Sequence, residues 1–135
     1  MPVIPPTVLK RLYVKGSLRL EDRGFAFDLK NLIAPATITD VDRLEVDGDA
    51  VDDSLVTFVP PSGNARCMEH ISPGTPLHFP VGVVISVHVA SGALEPGEHE
   101  LILHLTLKEI GTLGIPISEI GLLFDERRVD VDIGH

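Results

Sequence analysis

Glu98, Glu100 and His104 are the side chains whose spacing first suggests chemistry. On a helix, Glu100 and His104 would lie one turn apart, a spacing that metal sites use. The residues between them argue for another geometry. Leu101, Leu103, Leu105 and Leu107 alternate with Ile102, His104, Thr106 and Lys108, the period of a half-buried β-strand. At roughly 3.3 Å of rise per residue, a strand separates Glu100 from His104 by about 13 Å, too far to share one ion. Glu98 and Glu100 share a face about 7 Å apart at the strand's start and read as a solvated rim. The paired-carboxylate chemistry of glycoside hydrolysis depends on a separation in space that spacing in sequence does not supply.

His88 and His99 extend the same search. If the strands around residues 83–89 and 101–108 form a hairpin centred near residue 94 or 95, His88 stands opposite about residue 101 and His104 opposite about residue 85. The two imidazoles then do not face each other, and no third ligand completes a metal site. These histidines read as surface or interface residues. Cys67 is the only cysteine, so no disulfide forms within the chain, and a lone thiol suits a reducing cytoplasm. His70 is close to it in sequence, but no nucleophile motif surrounds the pair. Phosphate-cradling glycine loops, nucleophile elbows and cysteine–histidine zinc spacings are absent from the sequence. No catalytic, cofactor-binding or metal-ligating residue is therefore assigned, and no cofactor is expected in this chain.

The elements around these residues are strands and turns. Leu12, Val14, Leu18 and Leu20 alternate with polar neighbours over residues 12–20, with a bulge expected at Gly16. After a turn at Arg23-Gly24, Phe25, Phe27 and Leu29 form the apolar face of a second strand, antiparallel to the first. Asn31 to Ile38 is apolar but holds Pro35, and reads as a buried crossing loop leading to another strand. Leu44-Glu45-Val46 followed by Asp47-Gly48 signals a hairpin, because Asp-Gly suits the positive dihedrals of a type I′ turn. Leu55 to Val59 is a strand stopped by Pro60-Pro61, and Val83, Ile85, Val87 and Val89 mark a long central strand. Leu113 to Ser118 is a last extended piece with Pro116 at an edge or end. Short strands with regular turn signals and no helix-period segment predict an all-β fold, an antiparallel β-sandwich of jelly-roll or immunoglobulin-like type.

A chain of 135 residues fits a single domain over residues 1–135, with two special segments. Residues 60–80 hold Pro60, Pro61, Gly63, Pro73, Gly74, Pro76 and Pro80 and predict an excursion or lid. Within it Met68, His70, Ile71, Leu77, His78 and Phe79 are the candidate partner-contacting or substrate-proximal residues. The tail 127–135 alternates Val129, Val131 and Ile133 with Asp130 and Asp132 and predicts a strand added to a sheet edge. The charge totals 11 Lys and Arg against 20 Asp and Glu, a net −9, which excludes nucleic acid as the natural partner. A basic segment (Lys10, Arg11, Lys15, Arg19) and an acidic one between residues 40 and 53 are two solvated surfaces, or a pair that meets between subunits. With no signal peptide and no apolar run of membrane length, the expectation is a soluble cytoplasmic protein.

Gly16-Ser17-Leu18-Arg19, Gly24-Phe25-Ala26-Phe27-Asp28-Leu29-Lys30-Asn31, Leu44-Glu45-Val46-Asp47-Gly48, Phe79-Pro80-Val81-Gly82 and Gly92-Ala93-Leu94-Glu95-Pro96-Gly97-Glu98-His99 resemble, in that order, the small β-subunit of bacterial C-glycoside deglycosidases. The resemblance spans about residues 12–120. It implies a β-sandwich subunit in a hetero-oligomer with a larger barrel-type catalytic α-subunit, which carries a divalent metal (Mn or Mg) and the acid–base groups. The complex would be a lyase that cleaves the carbon–carbon bond of 3-oxo-C-glycosides, with this chain as its non-catalytic partner. The alternative is a stand-alone carbohydrate-binding or protein-interaction β-sandwich module.

Overall fold

The computed structural model describes residues 10–21, 24–90 and 99–117. The strands are β1 (Arg19–Glu21), β2 (Gly24–Lys30), β3 (Ala36–Val46), β4 (Asp49–Ala50), β5 (Val56–Val59), β6 (Arg66–Cys67), β7 (Leu77–Phe79), β8 (Val84–Val89), β9 (Leu101–Leu107) and β10 (Gly111–Pro116). They form two antiparallel sheets, one in the order β1-β2-β8-β5-β6 and the other β10-β9-β3-β4, with β7 also paired to β3. Single 3₁₀ turns at Lys10–Leu12, Asp53–Leu55 and Met68–His70 are the helical elements among the described residues. The all-β expectation holds at this level.

Alternation sets the first sheet. Phe25, Phe27 and Leu29 on β2 stand opposite Val89, Val87 and Ile85 on β8, and all six are buried. Their neighbours Ala26, Asp28 and Lys30 stand opposite His88, Ser86 and Val84 on the other face. The strand at Val84–Val89 is central, as its pattern predicts, because β2 and β5 flank it. The inward residues of both sheets belong to one apolar cluster that includes Phe25, Phe27 and Phe58 as well as Ile38, Leu44, Leu101 and Leu103. Burying each of these large side chains contributes about 1.5–3 kcal/mol. Tyr13 joins that cluster edge-on to Phe27, ring centroids 6.3 Å apart, while its hydroxyl accepts the Leu18 N–H.

Several local expectations change. The run around Gly16 is not one bulged strand. Tyr13 bridges to Leu29, Gly16 turns with φ 87°, and β1 begins only at Arg19. The Asp47-Gly48 turn is confirmed, with φ 53° and 89° at its two residues and β3 paired to β4 across it. The expected hairpin between the strands around 83–89 and 101–108 does not form. β8 lies between β2 and β5, whereas β9 lies between β3 and β10, so the chain changes sheets between them. The inward faces of both strands are apolar, and each contributes to the one buried cluster from its own sheet. The tail 127–135 lies outside the described residues.

The excursion at 60–80 contains β6, the Met68–His70 turn and β7. Arg66 organises it, donating from its guanidinium to the carbonyls of Thr75, Pro76 and His70. Thr75 closes the same bend with its hydroxyl on the His70 carbonyl at 2.8 Å. Proline density here encodes turns that side-chain hydrogen bonds fix in place.

The loop after β2 also departs from its expected burial: Leu32 and Ile33 are exposed, and Asn31 is the one buried polar side chain among the described residues. Its Nδ2 donates to the carbonyls of Ala34 and Phe79, each at 2.6 Å, and its Oδ1 accepts from the N–H groups of Ile33 and Ala34 at 3.0 and 3.4 Å. Its backbone adds bonds from Asn31 N to Val83 O and from Gly82 N to Asn31 O. One side chain thus ties the end of β2 to β7 and to the turn before β8. Replacing it by alanine leaves the Phe79 carbonyl without its donor, and such a loss costs about 1–3 kcal/mol. Asn31→Ala should lower the urea midpoint accordingly. Asn31→Asp should be no better at neutral pH, because a carboxylate would then face two carbonyl oxygens. An unchanged midpoint in both variants would contradict this role.

Candidate functional site

β-bulges in β3 shape the polar surface of the second sheet. Its pairing with β9 slips between Ile38 and Asp40 and again between Val41 and Arg43. Each slip adds one residue, so Ile38, Val41 and Leu44 point inward at intervals of three while extra polar residues crowd the outer face. Thr106 donates to Asp42 at 3.0 Å and meets the Thr112 hydroxyl at 3.0 Å. Arg43 pairs with Glu45, and this guanidinium is the main cause that holds the Glu45 carboxyl below the usual carboxylate range. The Nε2 of His104 lies 3.7 Å from the same carboxylate and makes no hydrogen bond. Gly114 stands opposite His104, and a Cβ there would come within 3.3 Å of the imidazole, so the glycine leaves room for the ring.

Two other histidines also meet carboxylates. His99 Nδ1 lies 2.8 Å from Asp47, whose other oxygen accepts the Glu100 N–H at 2.8 Å. That backbone bond, followed by the imidazole, draws the Asp47 carboxyl below its ordinary range. On the outer face of the first sheet, His88 Nδ1 lies 2.9 Å from Glu21 beside a small cleft lined by Thr57, Gly24 and Leu55. His88 and His104 therefore occupy different sheets. Among the described residues no group of three or more His, Cys, Asp and Glu side chains is arranged to hold a metal ion. Cys67 directs its thiol to the Asp53 carbonyl at 3.6 Å.

The candidate residues of the excursion divide by chemistry. Met68, Ile71, Leu77 and Phe79 are buried in the apolar cluster, whereas His70 and His78 are exposed. Phe79 reaches a concavity, a space of about 180 Å³ that is partly open to solvent. Leu12, Leu105, Leu107, Ile110 and Ile115 form its apolar walls, with Ile33 and Ala34 also lining it. Two polar side chains border it. Asn31 is fully engaged as described above, and Glu109 takes the Thr37 N–H on one oxygen at 3.0 Å and the Thr37 hydroxyl on the other at 3.1 Å. The backbone bond from Thr37 is the leading cause that lowers the Glu109 pKa. No sequence signal marks this concavity, because its walls come from five separate segments.

Residues 8–120 match the family model described as hydroxymethylglutaryl-CoA reductase, N-terminal domain. The chain belongs to that family. No curated protein matches it. The match corrects the resemblance to a C-glycoside deglycosidase small β-subunit, and with it the readings as a lyase accessory subunit, as part of carbohydrate metabolism and as a carbohydrate-binding module. The larger barrel-type subunit and its divalent metal are implied by that resemblance alone. The physical reason for the misreading is visible in the turns. Gly16, Gly48 and Gly82, which anchor three of the similar phrases, have φ of 87°, 89° and 86°. Glycine is required there by backbone conformation, so unrelated β proteins arrive at the same short phrases. No helix among the described residues is long and apolar enough to cross a membrane.

The lowered carboxylates give a pH dependence of definite sign. A carboxylate whose folded pKa is depressed stabilises the fold above its unfolded pKa, about 4, and that contribution disappears as pH falls through the folded value. Stability should therefore drop below about pH 4. Asp47→Asn should lower the urea midpoint at pH 7 and lie closer to the parent at pH 3. A difference between the two proteins that is the same at both pH values would contradict the assignment.

Proposed function

We propose that this chain is a non-catalytic β-sandwich domain of a hydroxymethylglutaryl-CoA reductase-type protein, which supports a catalytic portion and does not itself reduce hydroxymethylglutaryl-CoA. The family match across residues 8–120 carries this reading, since it names an N-terminal domain and spans all the strands. Two further observations support it. The inward faces of the two sheets share one core, as the layers of a sandwich do. Asn31, Arg66 and Glu109 use their side-chain bonds to hold loops and turns in place. A domain of this kind acts by presenting a rigid surface, so its work is association.

The test is to assay hydroxymethylglutaryl-CoA reduction, with a nicotinamide hydride donor, for the chain alone and for the chain mixed with a separately produced catalytic portion of a reductase of this family. The expected result is no turnover by the chain alone and a complex of increased mass by light scattering in the mixture. Turnover by the chain alone would overturn the reading, and so would a chain that stays unassociated with every catalytic portion offered.

A further inference from the structure

The cavity bounded by Leu12, Phe79, Leu105, Leu107, Ile110 and Ile115 has a chemistry that its walls define closely. Its polar borders are few: both amide atoms of Asn31 have partners within the protein, and each oxygen of Glu109 already takes one bond from Thr37. Water against these walls finds few protein hydrogen-bond partners. An apolar molecule loses nothing there and gains contacts on most sides.

Size narrows the choice. A cavity of about 180 Å³ is slightly larger than the roughly 150 Å³ engineered cavity, walled by Leu, Ile and Phe, that stays dry and binds benzene. One of the exposed large hydrophobic residues among those described, Ile33, lines the cavity, so an apolar side chain borders it on the solvent side as well.

We propose that this cavity is a binding site for one compact hydrocarbon group of roughly six to eight carbons, aromatic or branched, without a polar group that must be buried. Recognition comes from shape and dispersion, with Asn31 holding the mouth loop against Phe79. The site is separate from the histidine–carboxylate pairs on the outer faces of the sheets, and it does not depend on which catalytic portion the domain supports.

Toluene is the probe, followed by methyl-resolved NMR and by thermal unfolding of the full chain. Saturable shifts are expected at the methyl groups of Leu105, Leu107, Ile110 and Ile115, with a dissociation constant of about 1 mM or tighter for a seven-carbon ligand. Thermal midpoint should rise with ligand concentration. Benzyl alcohol, similar in size but with a hydroxyl that must leave water for a mostly apolar space, should bind more weakly than toluene. Two variants occupy the space by different routes, Ala34→Phe at the mouth and Leu107→Phe inside, and either one that folds should abolish the shifts. The absence of saturable shifts, their location at other methyl groups, equal affinity for benzyl alcohol, or unchanged binding in a folded variant would overturn the proposal.

Discussion

A buried amide with every valence used is the constraint from which the rest of this structure follows. Asn31 sits where the first sheet gives way to a loop that must reach the second, a place where backbone donors and acceptors lose their strand partners. Leaving such groups unpaired away from water costs as much as several stabilising contacts supply. The asparagine resolves this with one side chain, since an amide offers both donors and acceptors in fixed geometry. Aspartate has no donor for the Phe79 carbonyl, and an apolar residue has neither kind of group. The loop can then expose Leu32 and Ile33 without losing its position.

Packing and polarity divide between the two sides of each sheet. Apolar residues of both sheets meet in a single cluster, while the outer faces carry short-range polar pairs: Arg19 with Asp28, Ser86 with Asp28, His88 with Glu21 and Thr106 with Asp42. Such exposed pairs contribute little stability individually, about 0–1 kcal/mol each. Their value is in register, because a one-residue slip of β2 against β8 would turn Asp28 inward and Phe27 outward. The glycines at the turns complete the division. Asp47 and Gly48 take positive φ so that β3 can return as β4, and the same turn places Asp47 where it can accept the Glu100 N–H.

Where alternation was unbroken, the sequence was legible. Phe25 to Lys30, Val84 to Val89 and Leu101 to Leu107 have the expected faces, because each is a regular strand with one side in the core. The full extent of β3 was hidden for a physical reason: two bulges place its inward residues, Ile38, Val41 and Leu44, three apart, a spacing that matches neither a plain strand nor a helix. Sheet membership was hidden too. An apolar strand face shows that a strand covers a core, but not from which side, so β8 and β9 looked like a hairpin. The cavity left no trace in the sequence, since Leu12, Phe79, Leu107 and Ile115 are ordinary core residues until the fold brings them around one space. Family membership was misread because turn glycines carry backbone geometry more than ancestry.

Native-state hydrogen exchange tests the central role of Asn31 most directly. The backbone amides of Asn31 and Gly82 and the side-chain amide of Asn31 are predicted to exchange as slowly as those of the core strands at Phe27 and Leu103, opening only with global unfolding. Fast exchange at these three positions while Phe27 and Leu103 stay protected would show that the loop opens independently of the sheets, and would contradict the account.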